Sequence, residues 1–224
     1  MTFSSYFKNI RLKNNESQVN MAKILNISVT SVKFIENGTT KFPSEKLLQK
    51  ICEYTIENPT EVMEQILFTA EDIKSHPLSC SYLTNMYLED WNIKDSPYIV
   101  HSSNNKNFTF NARIIKKREN KNIFIISQCD NFFTKQSLEY ILKNKDINSF
   151  MVNIVSSTLY IDEPFRGLHI LFDSNNNKQV ELFNLCEENM FYQFSYTIEF
   201  KLFDSNNHKL IDSKKITRRR TDEH

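Results

Sequence analysis

Residues 17–43, with the sequence SQVNMAKILNISVTSVKFIENGTTKFP, place the strongest constraint on how this chain folds. Apolar residues recur in them at intervals of three and four, which is typical of helices with one buried face. Two short helices that pack closely need a small residue in the first helix and, between the helices, a residue that tolerates positive φ. Ala22 and Asn26 occupy these positions, Ser28 stands where the second helix needs an N-cap, and Ser17 and Ser44 stand at further N-cap positions. The stretch therefore predicts two helices joined by a tight turn.

The two faces of this helix pair differ in chemistry. The predicted inward set is Met21, Leu25, Ile27, Val32 and Ile35. The predicted outward set on the second helix is Val29, Thr30, Lys33 and Phe34. Threonine and valine methyl groups suit thymine methyl groups, and lysine suits guanine or phosphate, so the outward set favours contact with DNA. Gln18 opens the first helix, where an amide and the helix N-terminus can together bind a phosphate. A helix pair that only packs, or that contacts another protein, is the alternative.

These residues resemble the helix-turn-helix of the Cro/CI-type, or XRE, family of phage repressors and bacterial regulators. The resemblance rests on Gln18 and Ala22 in the pattern Q-x-x-x-A, on the inward set, and on IENGTTKFP at 35–43, which is similar to the family's E-x-G-x-x-x-P ending. It covers roughly residues 4–68 and implies an all-α domain of five helices that binds an operator, usually as a dimer. It also implies that Phe34 occupies a base-reading position and that Asn37, Thr40 and Lys41 lie beside the phosphate backbone. Asn26 stands where the family most often has glycine, a mild departure because asparagine also adopts positive φ.

Positive charge is concentrated around the same stretch. The whole chain is nearly balanced, with 28 Lys and Arg residues against 27 Asp and Glu residues. Residues 1–50 hold eight bases and three acids, a net charge of +5 (8 − 3), whereas residues 51–72 hold six acids and no base. A positive field confined to this part of the chain is what a phosphate-binding face requires.

Beyond residue 79 the pattern is typical of an α+β domain. It predicts helices at 81–91 and 134–144 and strands at 97–102, 108–115, 122–128 and 149–157, with antiparallel strands after that. The repeated LFDSNN at 171–176 and 202–207 predicts two similar hairpins, because Asp, Ser and Asn favour turns. Alternating side chains from Tyr192 to Leu202 predict one long strand with a buried face.

The chain as a whole is therefore predicted to be multi-domain. The expected organisation is a helix-turn-helix domain at 1–70, a linker at 71–79, an α+β domain with a largely antiparallel sheet at 80–213, and a basic tail at 214–224. The α+β domain is expected to serve dimerisation, sensing or partner binding. The tail holds five bases between Lys214 and Arg220, and nonspecific phosphate contact is an alternative to a solvated end.

The order helix, three strands, helix, strand is also similar to that of the restriction-endonuclease-like core. Such nucleases hold Mg²⁺ with an acid on the second core strand and an acid-x-Lys pair on the third. The corresponding stretches here, FTFNARII and IFIISQCD, lack these residues, although Asp130 follows closely. The sequence therefore predicts no active nuclease and leaves a degenerate core of this kind as an alternative.

Other chemistry is not indicated. Cys52, Cys80, Cys129 and Cys186 are far apart, and His76, His101, His169 and His208 share no spacing that makes a metal-binding face, so neither a metal site nor a disulfide framework is expected. Two glycines in the whole chain exclude glycine-rich phosphate loops, and no cofactor is expected. In IDEPFRG, Asp162, Glu163 and Arg166 predict a solvated ion pair in a loop. A cytoplasmic protein is expected, because no run of about 18 apolar residues is present and charges interrupt the start of the chain.

Together these features predict a sequence-specific, DNA-binding transcriptional regulator, such as a repressor or an activator, of bacterial, phage or mobile-element origin. It is expected to bind a double-stranded operator as a homodimer that is held through residues beyond 79. One alternative is a nuclease-like DNA-processing protein that the helix-turn-helix targets. Another is an accessory or inhibitor protein that regulates its own gene and binds a protein partner. A small-molecule partner of the α+β domain also fits the sequence.

Overall fold

The computed structural model describes residues 2–101, 107–116, 123–159, 161, 164–186 and 196–216. These residues form ten α-helices, a six-stranded mixed sheet and a separate two-stranded sheet, which is an α+β class. The chain divides into two compact units, Met1–Thr84 and Asn85–His224. None of the helices in the described ranges is both long enough and apolar enough to span a membrane.

The first unit is helical. Its helices are α1 (Phe3–Lys13), α2 (Gln18–Ile24), α3 (Val29–Glu36), α4 (Glu45–Thr55), α5 (Pro59–Leu67), α6 (Ala70–Ser75) and most of α7 (Pro77–Leu88). The range expected to be a linker, 71–79, thus contains most of α6 and the start of α7. Large side chains that are at most 2% exposed form the core of the unit, among them Phe3, Phe7, Met21, Ile35 and Ile51.

Capping side chains define where these helices begin. Before each of α1 to α6 stands a Thr, Ser or Asn whose side-chain oxygen accepts the backbone N–H three residues later. The N-caps expected at Ser17, Ser28 and Ser44 are confirmed by these hydrogen bonds. Each such bond satisfies a backbone donor that the helix itself leaves unpaired, so the starts are fixed locally.

The second unit is built on the six-stranded sheet, whose strand order is β1-β4-β5-β6-β7-β8. The strands are β1 (Trp91–Asp95), β4 (Ala112–Lys116), β5 (Ile123–Gln128), β6 (Gly167–Asp173), β7 (Thr197–Asp204) and β8 (Lys209–Ile216), while β2 (Tyr98–His101) and β3 (Asn107–Phe110) form the small sheet. Three of the five strand pairs are antiparallel, and β6 is parallel to both β5 and β7. The expectation of an α+β domain with a largely antiparallel sheet is confirmed at this level.

Helices follow the parallel strands because a parallel connection has to cross back over the sheet. A short 3-10 helix (Cys129–Phe132), α8 (Lys135–Asn144) and α9 (Ile147–Thr158) connect β5 to β6, and α10 (Asn177–Leu185) precedes β7. The core between helices and sheet is rich in phenylalanine. Phe150 of α9, Phe172 of β6 and Phe200 of β7 are fully buried, with ring centroids 5.8 to 6.4 Å apart.

The strand expected at 149–157 is wrong, because this segment lies in α9. Asp146 caps the helix by accepting hydrogen bonds from the backbone nitrogen and the hydroxyl of Ser149. Phe150, Met151 and Ile154 then share one helical face in the core. The β-branched residues of the segment favour a strand only weakly, and burial of this face outweighs that preference.

The expectation of antiparallel strands in the rest of the chain is wrong for β6, which is parallel to both β5 and β7, and for 177–185, which is α10. The hairpin expected at the first LFDSNN is therefore wrong as well. After β6 the first LFDSNN leads into α10, and Asn176 caps that helix by accepting the backbone N–H groups of Lys178 and Gln179. The second LFDSNN does form the hairpin between β7 and β8, as expected. The two copies therefore end neighbouring parallel strands.

Two further boundaries differ from expectation. The helix predicted at 81–91 ends at Leu88, and β1 begins at Trp91. The strand predicted at 108–115 is two strands, β3 and β4, which are separated at Asn111 and belong to different sheets. The buried face of β7 is as predicted at Ile198, Phe200 and Leu202, whereas positions 192–195 of that alternation lie outside the described residues.

Candidate nucleic-acid interface

The turn between α2 and α3 is closed by a Schellman motif. Asn26 has φ +46°, the left-handed conformation that the sequence predicted for it. Its N–H donates to the carbonyl of Lys23 at 3.1 Å, and the N–H of Ile27 donates to the carbonyl of Ala22 at 2.9 Å. These two bonds satisfy carbonyls at the end of α2 and turn the chain into Ser28, which caps α3.

The inward set packs as the periodicity predicts. Met21, Ala22, Leu25, Val32 and Ile35 are at most 3% exposed, and Ile27 is half-buried. Because α3 turns about 100° per residue, the side opposite Val32 and Ile35 carries Thr30, Lys33, Phe34 and Asn37. All four are exposed, and Phe34 is 49% exposed. Val29 lies at the border of this face and is half-buried.

A carboxylate at the end of α3 ties α1, α2 and α3 together. Glu36 accepts hydrogen bonds from Arg11 of α1, with Nε to Oε1 at 2.5 Å and Nη2 to Oε2 at 3.1 Å. Gln18, the first residue of α2, donates from Nε2 to Oε2 of Glu36 at 2.8 Å. The hydroxyl of Ser4 donates to the backbone carbonyl of Glu36 at 2.6 Å. The orientation of α3 is therefore fixed by polar contacts as well as by its apolar side.

This network keeps Glu36 ionised. Burial by itself would raise the pKa of this carboxyl, but the hydrogen bonds from Arg11 and Gln18 outweigh burial and hold the pKa below its ordinary value. The Arg11 and Glu36 side chains are only 11% and 8% exposed, so their charges neutralise each other inside the unit. Glu36 is the only acid between Ser17 and Ser44, a stretch that also holds Lys23, Lys33 and Lys41. The exposed charges of this stretch are consequently its three lysines.

The loop after α3 is ordered by its own side chains. Asn37 accepts hydrogen bonds from the backbone nitrogen and the hydroxyl of Thr39 at 3.0 and 2.7 Å. Gly38 has φ +81°, and the N–H of Thr40 donates to the carbonyl of Phe34 at 3.0 Å. Lys41 follows on the exposed side of this loop. Four residues separate Gly38 from Pro43 here, one more than in the family ending that this loop resembles.

The predicted site residues thus fall into two groups. On one exposed surface, formed by α3 and the following loop, lie Thr30, Lys33, Phe34, Asn37 and Lys41, with the half-buried Val29 and Thr40 at its edge. Gln18 and Ser28 serve the fold: Gln18 is half-buried against Glu36, and Ser28 caps α3. One hydrogen of the Gln18 amide is used in this way, which leaves the other for an external partner.

Arg11 and Ser4 are the residues that the sequence analysis missed. A signal for Arg11 was present, since Phe3, Phe7 and Arg11 follow each other at intervals of four on the buried side of α1. A charged residue on an apolar stripe indicates a buried partner of opposite charge. The partner itself, 25 residues further on, has no comparable sequence signal.

Other reactive groups do not assemble into a site within the described ranges. No group of three or more His, Cys, Asp and Glu side chains there could hold a metal ion, and the four cysteines are free thiols. The Oδ1 atom of Asp130 accepts a hydrogen bond from Gln179 at 2.7 Å. Asp162 and Glu163 of the predicted loop ion pair, and residues 217–224 of the basic tail, lie outside the described residues.

No protein-family model, no curated protein and no solved structure matches this chain.

Proposed function

We propose that the chain is a sequence-specific, DNA-binding transcriptional regulator of bacterial, phage or mobile-element origin. Helices α1 to α5 of its first unit act as a five-helix XRE domain, with α2 and α3 as the helix-turn-helix and α3 in the major groove of an operator. The observation that carries this proposal is the exposed face of α3, where Thr30, Lys33 and Phe34 project from a helix whose single acid is neutralised internally.

The chemistry of that face suits base edges. Lys33 can donate to guanine or to phosphate, and the Thr30 methyl group and the Phe34 ring can contact the methyl group of thymine. Asn37, Thr40 and Lys41 would then run beside the phosphate backbone, where an exposed lysine contributes affinity but little sequence discrimination. A helix held by Arg11, Gln18 and Ser4 presents these groups in one fixed orientation, which reduces the entropic cost of binding.

The second unit would supply dimerisation, and with it two copies of α3 for two half-sites of the operator. A regulator of this kind acts in the cytoplasm. It reads DNA without a cofactor, and the second unit remains free to bind a protein or a small molecule.

The test is a DNA pull-down and sequencing experiment with the full-length chain, followed by binding measurements on the selected DNA. Thr30→Ala and Lys33→Ala should each weaken specific binding by about 1 to 3 kcal/mol if the residue contacts a base. Lys74→Ala is the matched control, because Lys74 is an exposed lysine on α6 beside Glu71 and Asp72. The proposed base-contacting face of α3 would be ruled out if the pull-down enriched no sequence. It would also be ruled out if a folded variant with both Thr30→Ala and Lys33→Ala bound the selected DNA as tightly as the wild type.

A nuclease-like DNA-processing protein is the second candidate, and the strand order favours it. The antiparallel run β1-β4-β5, followed by helices and the parallel β6, has the order of a restriction-endonuclease-like core. Against catalysis, neither β4 nor β5 contains an acid, and the nearby Asp130 accepts a hydrogen bond from Gln179. The purified chain should therefore leave plasmid DNA uncut with Mg²⁺ or Mn²⁺. If the chain cleaved DNA and Asp130→Ala abolished that cleavage, the nuclease-like function would be favoured over the regulator.

A further inference from the structure

A cavity of about 500 Å³ opens in the first unit, next to the loop that follows α3. It lies between the start of α1, this loop and the end of α5, and all of its lining residues belong to the first unit. Its volume falls within the range of roughly 300 to 1,000 Å³ that is usual for small-molecule sites. Two of its lining residues, Thr40 and Lys41, are also proposed to lie beside the phosphate backbone of DNA.

The walls of the cavity are mainly apolar and have one charged group. Phe3, Phe42, Ile66 and Leu67 form the apolar part, and Phe42 is 45% exposed. Lys41 is the only charged side chain that lines the cavity among the described residues. The remaining lining residues are Thr2, Ser4, Gly38 and Thr40. Apolar side chains beside one ammonium group fit an amphipathic organic anion and fit a cation poorly.

The size and the charge narrow the class of ligand further. A phosphate group alone could pair with Lys41 but would leave the exposed part of Phe42 and the half-buried Leu67 in contact with water. A carboxylate on an apolar body of about eight to twelve carbon atoms would meet both requirements, since burying apolar surface supplies most of the affinity of such a ligand.

We propose that this cavity binds a small amphipathic carboxylate, with its carboxylate at Lys41 and its apolar body against Phe3, Phe42, Ile66 and Leu67. Binding of the carboxylate lowers the affinity of the chain for DNA, because Lys41 then pairs with the carboxylate and no longer with a DNA phosphate. The regulatory half of this proposal rests on the proposed DNA-binding function, whereas the binding half stands independently of it.

Octanoate is a suitable probe, and octan-1-ol, which has the same chain and no charge, is its control. Ligand-observed NMR titrations of the full-length chain should show that octanoate binds more tightly than octan-1-ol. Lys41→Gln should weaken octanoate binding by about threefold to fivefold, as expected for a solvent-accessible ion pair, and should abolish the preference over octan-1-ol. Phe42→Ser should weaken both ligands by about tenfold. Lys74→Gln should change neither.

Both substituted side chains are partly exposed, so the variants are expected to fold, and circular dichroism checks this. No binding of octanoate at millimolar concentration would overturn the proposal. So would an affinity that Lys41→Gln and Phe42→Ser leave unchanged in folded protein.

The regulatory half is measured by adding octanoate, and separately octan-1-ol, to the complex with DNA from the pull-down. Octanoate should release DNA from the wild type and should lose this effect in Lys41→Gln. Octanoate binding without any DNA binding would refute the proposed function and the regulatory half but leave the carboxylate site standing. DNA binding that saturating octanoate does not affect would refute the regulatory half alone.

Discussion

At the scale of single residues, Glu36 holds the candidate interface together because three other residues donate to it or to its backbone. Arg11 lies on the apolar side of α1, and its guanidinium also donates to the carbonyl of Glu16 at 2.8 Å. Removing one partner of a buried ion pair is costly because the other charge remains without compensation. The pair therefore fixes the orientation of α3 more than it adds net stability.

A double-mutant cycle tests this arrangement. Arg11→Met should lower the free energy of unfolding by roughly 3 kcal/mol, because it leaves the Glu36 carboxylate buried and unpaired. Adding Glu36→Leu should restore part of that loss, so the double variant should be more stable than Arg11→Met alone. Urea unfolding followed by circular dichroism measures all four chains. Strictly additive effects would mean that the two side chains do not interact in solution.

Glu64 on α5 has the opposite environment. Its side chain is buried, and burial, together with repulsion by Glu61, raises its pKa from 4.5 to about 7. Because the folded pKa lies above the unfolded one, Glu64 does not oppose folding below about pH 4.5, where it is protonated in both states. The free energy of unfolding falls as the pH rises from about 4.5 through 7, because the folded chain then has to hold a buried carboxylate that is ionised.

Glu64→Gln should remove this pH dependence. At pH 8 the variant should be more stable than the wild type by about 1 to 3 kcal/mol, and near pH 5 the difference should shrink. Glu53→Gln is the matched control, since Glu53 is an exposed glutamate on the neighbouring helix α4. Urea titrations at the two pH values make the comparison. An equal effect of Glu64→Gln at both would show that the carboxyl titrates normally.

At the scale of elements, the turn between α2 and α3 depends on one asparagine. Asn26→Ala should lower the free energy of unfolding by about 1 kcal/mol, because alanine pays the cost of the left-handed conformation without the local hydrogen bonding that asparagine offers. Asn26→Gly should be at least as stable as the wild type, since glycine adopts positive φ freely. Thermal unfolding ranks the three chains, and a ranking with alanine above glycine would contradict the role assigned to this position.

The sequence predicted the elements around this turn well because their signals are local. Caps such as Ser17, Ser28 and Ser44 lie three residues from the N–H groups they accept, and the helical spacing of Met21, Val32 and Ile35 lies within the same stretch. The residues that carry the exposed face of α3 followed directly from that spacing. The network around Glu36 was not predicted, because Arg11 and Glu36 are distant in sequence.

The second unit was harder to predict because its signals are ambiguous. Asp, Ser and Asn begin helices by the same side-chain hydrogen bonds that close hairpins, so the first LFDSNN leads into α10 and the second closes a hairpin. At α9 the apolar pattern fits both a strand and a helix, and Asp146 decides for the helix. Parallel pairing of β6 with β5 and β7 depends on contacts far apart in the chain, which periodicity cannot reveal.

At the scale of the whole molecule, the question is which surface of the second unit could join two copies of the chain. Edge strands are one possibility, but the pairings of both outer strands, β1 and β8, contain register shifts of the kind a β-bulge makes. Bulges disrupt the row of backbone groups that a second copy would need, so edge pairing is disfavoured. Exposed apolar side chains on the helices are the better candidates.

We expect the chain to form a homodimer through α8 and α9. Val152 of α9 is 58% exposed and Leu159, which caps α9, is 76% exposed; the two lie seven residues, about two turns, apart and so share one side of the helix. Tyr140 of α8 is also 58% exposed. Under the proposed function, two copies of the first unit on one duplex would combine the contacts of two half-sites, which would give a dimer far higher operator affinity than a single copy. Sedimentation should therefore find a dimer at micromolar concentration.

Val152→Asp with Leu159→Asp should yield a folded monomer that binds a half-site weakly. The control Ile56→Asp, at a 93% exposed position of the first unit, should leave the dimer intact. A monomeric wild type, or a double variant that still dimerises, would contradict this assignment.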